Sequence, residues 1–116
     1  MGKAIGIDLG TTNSVVAFKD TAVKVIQTGA NNEDLCRSCV ALDKSGQFLV
    51  GNSVYKNWKR YSPNIVVSVK RLMGTAFSDS QVQKMRADSK AYPFGIKKPL
   101  GGTSEAVSIV LRGKEY

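Results

Sequence analysis

The chain has 116 residues, 42% hydrophobic and 22% charged, which suits one globular domain with a core of its own. No apolar run approaches the about 20 residues that cross a bilayer. Asp8 interrupts the first apolar stretch, which argues against a signal peptide, so we expect a cytoplasmic protein with no membrane partner. The formal net charge is +8, but no basic run exceeds two residues, so solvated surfaces explain it better than a nucleic-acid partner.

The chain opens with a short apolar strand that delivers Asp8 to a tight turn of small residues, Gly10-Thr11-Thr12-Asn13. A carboxylate at that place can hold a hydrated magnesium ion, while Gly10 lets the backbone approach a phosphate group. Successive N–H groups of the turn make an anion-binding concavity, to which the hydroxyls of Thr11 and Thr12 add donors. By turn chemistry alone, an ordinary hairpin explains these residues equally well.

Short turns separate the first three predicted strands, which therefore form an antiparallel meander, at 4–9, 14–19 and 22–27. The polar segment 28–37 is predicted to be a loop. A hairpin is predicted to join 38–43 to 47–50 across the turn Lys44-Ser45-Gly46.

A helix is predicted to follow, with Asn52 as its N-cap. Val54, Trp58 and Tyr61 then lie on one face at helical spacing, before Pro63 ends the helix. We expect these three side chains to pack in the core.

The second half of the chain is predicted to mix strands with one short helix. The segment 65–69 is rich in β-branched residues, which favour a strand. Ser78 and Gln81 have the spacing of a capping box, which predicts a helix through 85–87. The elements that follow are a strand at 93–97, a loop at 99–103, a strand at 106–111 and a turn at 112–113.

Cys36 and Cys39 form one C-x-x-C pair, and the sequence has no further Cys and no His. A structural zinc site needs four ligands, so this pair cannot build one alone. Positions i and i+3 of a strand face opposite sides, which is a poor geometry for a disulfide. We therefore expect two reduced, partly buried thiols.

Two blocks of the sequence resemble one protein family. Residues 6–14, Gly-Ile-Asp-Leu-Gly-Thr-Thr-Asn-Ser, are similar to the opening phosphate loop of the seventy-kilodalton heat-shock chaperones of bacterial DnaK type. Residues 69–74, Val-Lys-Arg-Leu-Met-Gly, resemble the lysine segment of that family and lie at the expected distance. Residues 49–51 resemble the start of the family's first helix in the outer subdomain, and residues 77–85 resemble its phenylalanine-led second helix. At 65–69 the family suggests an irregular or short helical segment instead of a strand. The run Leu35-Cys36-Arg37-Ser38 departs from the family, which has Thr-Thr-Pro-Ser there.

The resemblance implies a mixed α/β (α+β) chain with a partial actin-like (ribonuclease H-like) ATPase fold, lobe I only. Residues 1–36 would be the N-terminal strands of the inner subdomain with the phosphate loop, and residues 37–116 the outer subdomain. The remainder of the nucleotide-binding domain and the peptide-binding domain would lie outside this sequence. We also expect an open sheet edge and an apolar face on the meander.

The resemblance implies an ATP hydrolase in the full-length parent, with ATP or ADP and Mg²⁺ as ligands. The loop residues that would contact the nucleotide phosphates are Gly10, Thr11, Thr12 and Asn13. Asp8 would orient magnesium-bound water, and Lys70 would neutralise charge in the transition state, with Arg71 as a secondary contributor. The isolated chain is predicted to be inactive.

The partners that the resemblance implies are unfolded or nascent polypeptides, a J-domain co-chaperone and a nucleotide-exchange factor. Two alternative functions stay open at this point. One is a piece of another phosphotransferase of the same fold, such as a sugar kinase, although sugar kinases lack the lysine block. The other is a small basic nucleic-acid-binding module, whose affinity would depend strongly on salt.

Overall fold

A computed structural model describes residues 3–99 and 106–116. The strands are β1 Ile5–Leu9, β2 Asn13–Lys19, β3 Val23–Val25, β4 Cys36–Arg37, β5 Cys39–Leu42, β6 Phe48–Val50, β7 Ile65–Val67, β8 Gly95–Lys97, β9 Ser108–Leu111 and β10 Lys114–Glu115. The helices are α1 Asn52–Lys56, α2 Trp58–Tyr61 and α3 Ser80–Ala87, and a single 3₁₀ turn covers Val69–Arg71. Within these ranges no helix has the length and apolar character that crossing a membrane requires.

The first sheet is an antiparallel meander in the order β1-β2-β3, as predicted, and β4 pairs with the beginning of β2. The prediction of a loop over 28–37 is therefore wrong at Cys36–Arg37. A bridge between Thr28 and Glu33 also closes part of that segment. The polar composition of the segment predicts neither pairing. The strand β4 forms because it pairs with β2, and it has no apolar pattern of its own.

The second sheet has the order β6-β5-β7 and is covered on both faces. Alternate residues of a strand face opposite sides, so neighbouring residues of β5 and β7 enter two separate cores. One core lies against α1 and α2 and is built on Cys39, Ala41, Val54 and Ile65. The other lies against α3 and the third sheet, β10-β9-β8, and includes Leu42, Val66, Val82, Met85, Phe94 and Leu111.

The outer face of β1 is apolar and open to solvent. Ile5, Ile7 and Leu9 are 58%, 62% and 60% exposed. Among the described residues, every buried hydrophobic side chain lies between Cys39 and Leu111, so the meander contributes none of them. The predicted apolar face of the meander is confirmed.

The first helix differs from its prediction at both the cap and the middle. Asn52 is not the N-cap, because Gly51 holds that position with φ of 96°. The Asn52 side chain instead accepts a hydrogen bond from the Arg37 N–H at 2.7 Å and donates to the Leu35 carbonyl at 2.7 Å. The helix also breaks at Asn57, between α1 and α2.

The predicted core face of this helical segment is confirmed. Val54 is 1% exposed, and Trp58 and Tyr61 pack against the same core. These side chains shield Ala41 and Ile65 of the second sheet.

In the next segment, the start of α3 and the end of β7 also differ from their predictions. The cap of α3 is Asp79 rather than Ser78, and its carboxylate accepts from the Gln81 N–H at 2.8 Å. The strand predicted over 65–69 ends at Val67, because Ser68 has φ of 54° and starts the 3₁₀ turn.

The C-terminal strands are shorter than predicted, at Gly95–Lys97 and Ser108–Leu111. The predicted turn at Arg112-Gly113 is present, with φ of 48° and 76°. It leads into β10, which the sequence did not reveal. The loop predicted over 99–103 falls, apart from Pro99, outside the described residues.

Candidate functional site

The turn after β1 is built around a glycine that has no room for a side chain. The Gly10 N–H donates to the Asn13 carbonyl at 3.0 Å, which closes the turn. A Cβ on Gly10 would collide with that same carbonyl oxygen. Thr11 and Thr12 form the tip of the turn, and Asp8 stands exposed just before it. The residues predicted to bind phosphate are therefore adjacent in space as well as in sequence.

Ser38, which lies between β4 and β5, holds this turn in place. Its hydroxyl donates to the Gly10 carbonyl at 2.8 Å, and its N–H donates to the Thr12 carbonyl at 2.9 Å. The hydroxyls of Ser38 and Ser14 also lie 2.8 Å apart. These bonds engage two carbonyl groups of the turn and fix its shape before any ligand binds.

Lys70 brings the second sequence block to the first. Its Nζ donates to the Leu9 carbonyl at 2.7 Å, across a separation of 61 residues. The strand β7 ends at Val67, and the left-handed Ser68 turns the chain so that the 3₁₀ turn faces the end of β1. The exposed ammonium group thus lies at the peptide that joins β1 to Gly10, one residue beyond Asp8.

Arg71 reaches the same region by a different route. Its Nη1 donates to the Tyr92 hydroxyl at 3.1 Å. Tyr92 lines a cavity of about 460 Å³ whose wall also includes Thr11 and Thr12. The structure thus links Arg71 to the wall of that cavity, whereas Lys70 contacts the backbone of β1 directly before the loop.

Asp8 suits a water-mediated magnesium ion better than a metal site built by protein alone. In the described part of the chain, no group of three or more His, Cys, Asp and Glu residues is close enough to hold a metal. Magnesium binds through one or two carboxylates and substrate phosphates while keeping several waters. A single exposed carboxylate beside the Gly10 turn fits that donor set.

The two cysteines are free, with Cys36 half-buried and Cys39 buried. The Cys39 thiol donates to the Gly51 carbonyl with an Sγ–O distance of 3.2 Å. Burial raises the pKa of Cys39, so its thiol stays protonated at neutral pH. A buried neutral thiol that bonds to the backbone serves packing rather than nucleophilic chemistry.

Sequence reasoning missed the part that Ser38 plays. Ser38 ends the run Leu35-Cys36-Arg37-Ser38, and in the sequence this run stands out only as a departure from the family pattern. The signal lay in the serine that this run shares with the family's Thr-Thr-Pro-Ser, not in the cysteines beside it.

The sequence was also compared with models of known protein families. The sequence model of the family described as Hsp70 protein matches residues 4–116, a range that includes both the loop and the lysine block. The mixed, sheet-rich architecture is compatible with part of an actin-like ATPase lobe, as predicted. The chain therefore belongs to the Hsp70 family, whose members are chaperone ATPases that bind ATP or ADP with Mg²⁺.

Proposed function

We propose that this chain supplies the first phosphate loop and the transition-state lysine of an ATP site in a chaperone of bacterial DnaK type. One observation carries the proposal: the Nζ of Lys70 lies 2.7 Å from the Leu9 carbonyl, directly before the Gly10 turn. That contact unites the two sequence blocks at one place. Family membership also favours this function over a sugar kinase or a nucleic-acid-binding module.

The loop binds the nucleotide phosphates through backbone N–H groups and through the hydroxyls of Thr11 and Thr12. Asp8 orients magnesium-bound water beside them. When bound, Mg²⁺ neutralises part of the charge on the phosphate oxygens. Ser38 keeps the loop in its binding shape, because it engages the carbonyls on either side of Thr11.

Lys70 is placed to act on a phosphoryl group held by the loop. An ammonium group has three donors, and the Leu9 carbonyl takes one of them. The other two are available to phosphate oxygens or to an attacking water. Charge that develops on the transferred group is then met by a fixed cation, which lowers the barrier to hydrolysis. Arg71 adds a second, more distant positive charge.

We further propose that residues 1–36 belong to the inner subdomain of lobe I and residues 37–116 to the outer one. The distribution of buried side chains supports this division, since the two cores lie in the second part. ATP hydrolysis in the parent is coupled to binding and release of unfolded polypeptides in the cytoplasm, with a J-domain co-chaperone and a nucleotide-exchange factor as partners.

The test uses Lys70→Arg and Lys70→Met in the full-length protein, with Lys84→Arg on α3 as the matched control. Arg keeps the charge but not the position of a lysine, so both Lys70 variants should lose most single-turnover hydrolysis. ATP affinity, measured with a fluorescent nucleotide, should largely survive. Undiminished hydrolysis in Lys70→Met would contradict the proposal.

Asp8→Asn provides an independent test of the magnesium side of the site. The variant keeps the size of the side chain but loses its charge, so hydrolysis should fall sharply while thermal unfolding stays unchanged. Asp20→Asn, in the turn after β2, is the control. Equal turnover in Asp8→Asn and wild type would contradict the role proposed for Asp8.

The isolated chain is expected to bind ATP weakly and to show no turnover, because a phosphate loop alone does not enclose the nucleotide. Calorimetry and a phosphate-release assay with Mg²⁺ and ATP measure both properties. Micromolar binding or measurable release by the isolated chain would show that no second lobe is needed.

A further inference from the structure

The cavity beside the phosphate loop has two cationic side chains in its wall, Arg37 and Lys90. Neither belongs to an ion pair among the described residues. Thr11 and Thr12 line the same cavity, so a phosphate group on the loop would lie at its edge. A charged wall without a neutralising partner is suited to an anionic ligand.

The register of the first sheet places Arg37 on the face of the sheet that carries Asp8. Arg37 lies directly opposite Asn13 in the pairing of β4 with β2, and directly opposite residues share a face. Val15 is two residues beyond Asn13 and lies opposite Asp8. Because side chains alternate along a strand, Asp8, Asn13 and Arg37 therefore share one face.

The guanidinium group of Arg37 is held in place. Its Cζ lies 4.0 Å from the centre of the Tyr55 ring, while the Arg37 backbone N–H donates to Asn52 Oδ1 at 2.7 Å. Stacking on a ring uses the face of the guanidinium and leaves the N–H groups at its edge available as donors. Arg37 is thus a half-buried cation that is oriented before a ligand arrives.

We propose that this cavity is a phosphate subsite next to the loop, with Arg37 as its principal cation. The inference rests on the proposed function, since a nucleotide on the loop delivers the phosphate. The group has two possible sources: the terminal phosphate of bound ATP, or free inorganic phosphate after hydrolysis. In either case the edge N–H groups of Arg37 donate to phosphate oxygens, a pairing that suits the planar guanidinium.

The experiment compares Arg37→Met with Arg60→Met in the full-length protein. Arg60 is a matched control, because its Cζ also lies over a tyrosine ring, 5.8 Å from the centre of Tyr61, and it lines a different cavity. The dissociation constants to be measured are those of ATP, of ADP, and of inorganic phosphate for the ADP complex, all with Mg²⁺.

If Arg37 binds the terminal phosphate, Arg37→Met should weaken ATP about tenfold and leave ADP unchanged. If it binds the free product, ATP and ADP should be unchanged and inorganic phosphate weakened about tenfold. Either pattern supports the subsite, provided that Arg60→Met shows neither. Equal affinities in wild type and Arg37→Met for all three ligands would overturn it, as would the same losses in Arg60→Met.

Arg37→Lys covers the case in which Arg37→Met does not fold. This variant keeps the charge and the backbone hydrogen bonds but loses the planar donor edge. It should therefore weaken binding of the same ligand as Arg37→Met does, by about threefold. No preferential loss in this variant overturns the subsite as well. Failure of the proposed function looks different, because the wild-type protein would then bind no nucleotide at all.

Discussion

At the scale of single residues, Gly10 has the strictest requirement in the loop. Any other residue is excluded mainly by lack of space rather than by backbone conformation, because the Asn13 carbonyl lies where a Cβ would be. That carbonyl cannot move away, since it accepts the hydrogen bond that closes the turn. The glycine is therefore needed for space, in addition to the room that the proposed function requires for a phosphate.

Gly10→Ala should weaken ATP binding at least tenfold, because the turn must open to admit the methyl group. Gly6→Ala in β1 is the matched control, since a Cβ there meets only the Ala17 carbonyl at 4.0 Å. Nucleotide affinity and thermal unfolding are measured for both variants. Similar affinities in the two variants would show that the loop tolerates a different turn.

At the scale of secondary-structure elements, the β5–β6 hairpin depends on one carboxylate. Asp43 Oδ1 accepts from the Ser45 hydroxyl at 2.7 Å and from the N–H groups of Ser45 and Gln47 at 2.9 Å each. These bonds, led by that of the Ser45 hydroxyl and followed by that of the Gln47 N–H, hold the pKa of Asp43 below its ordinary value of 3.8. The hairpin positions β5, which connects the two cores.

The lowered pKa predicts how stability changes with pH. A carboxylate whose pKa is lower in the folded state stabilises that state fully above the unfolded pKa, and loses this effect as pH falls through the folded pKa. Asp43→Asn should therefore reduce stability at pH 7 and flatten its decline below about pH 4. Urea unfolding across this range measures both effects.

Asp20→Asn, which replaces an exposed aspartate in the turn after β2, is the control for the hairpin experiment. An acid decline as steep in Asp43→Asn as in this control would contradict the assignment.

At the scale of the whole molecule, the cores and the phosphate loop lie in different parts of the chain. Ser38 and Lys70 connect them, because both belong to the second part. Ser38 binds the carbonyls of Gly10 and Thr12, and Lys70 binds the Leu9 carbonyl directly before the loop. Movement of the second and third sheets would thus reach the loop through these three hydrogen bonds. The side chains on the exposed apolar face of β1, by contrast, do not pack into either core.

That open face should make the isolated chain associate, since exposed apolar strands favour contact between chains. Ile7→Thr keeps a β-branched residue in β1 while removing apolar surface, and should shift the equilibrium towards monomer in analytical ultracentrifugation. Val110→Thr in β9, where Val110 is half-buried, is a control of the same chemistry. A wild-type chain that stays monomeric at high micromolar concentration would contradict the prediction.

Local patterns were sufficient for much of the fold. The meander and the hairpin across Lys44–Gly46 were predicted because alternation and turn composition act over a few residues. The roles of Asn52 and Ser78 were predicted wrongly for a related reason. Both residue types favour caps in isolation, but Asn52 is engaged by β4, and Asp79 takes the cap of α3.

The sequence by itself determined the strand–turn–strand unit around Asp8 and Gly10, and two blocks that identify the family. Only the tertiary structure decided that Lys70 meets the Leu9 carbonyl, that Ser38 holds the turn, and that Arg37 shares the face of Asp8. These contacts join residues far apart in the chain. They form because several elements bury apolar surface together, and no local propensity specifies where distant segments then meet.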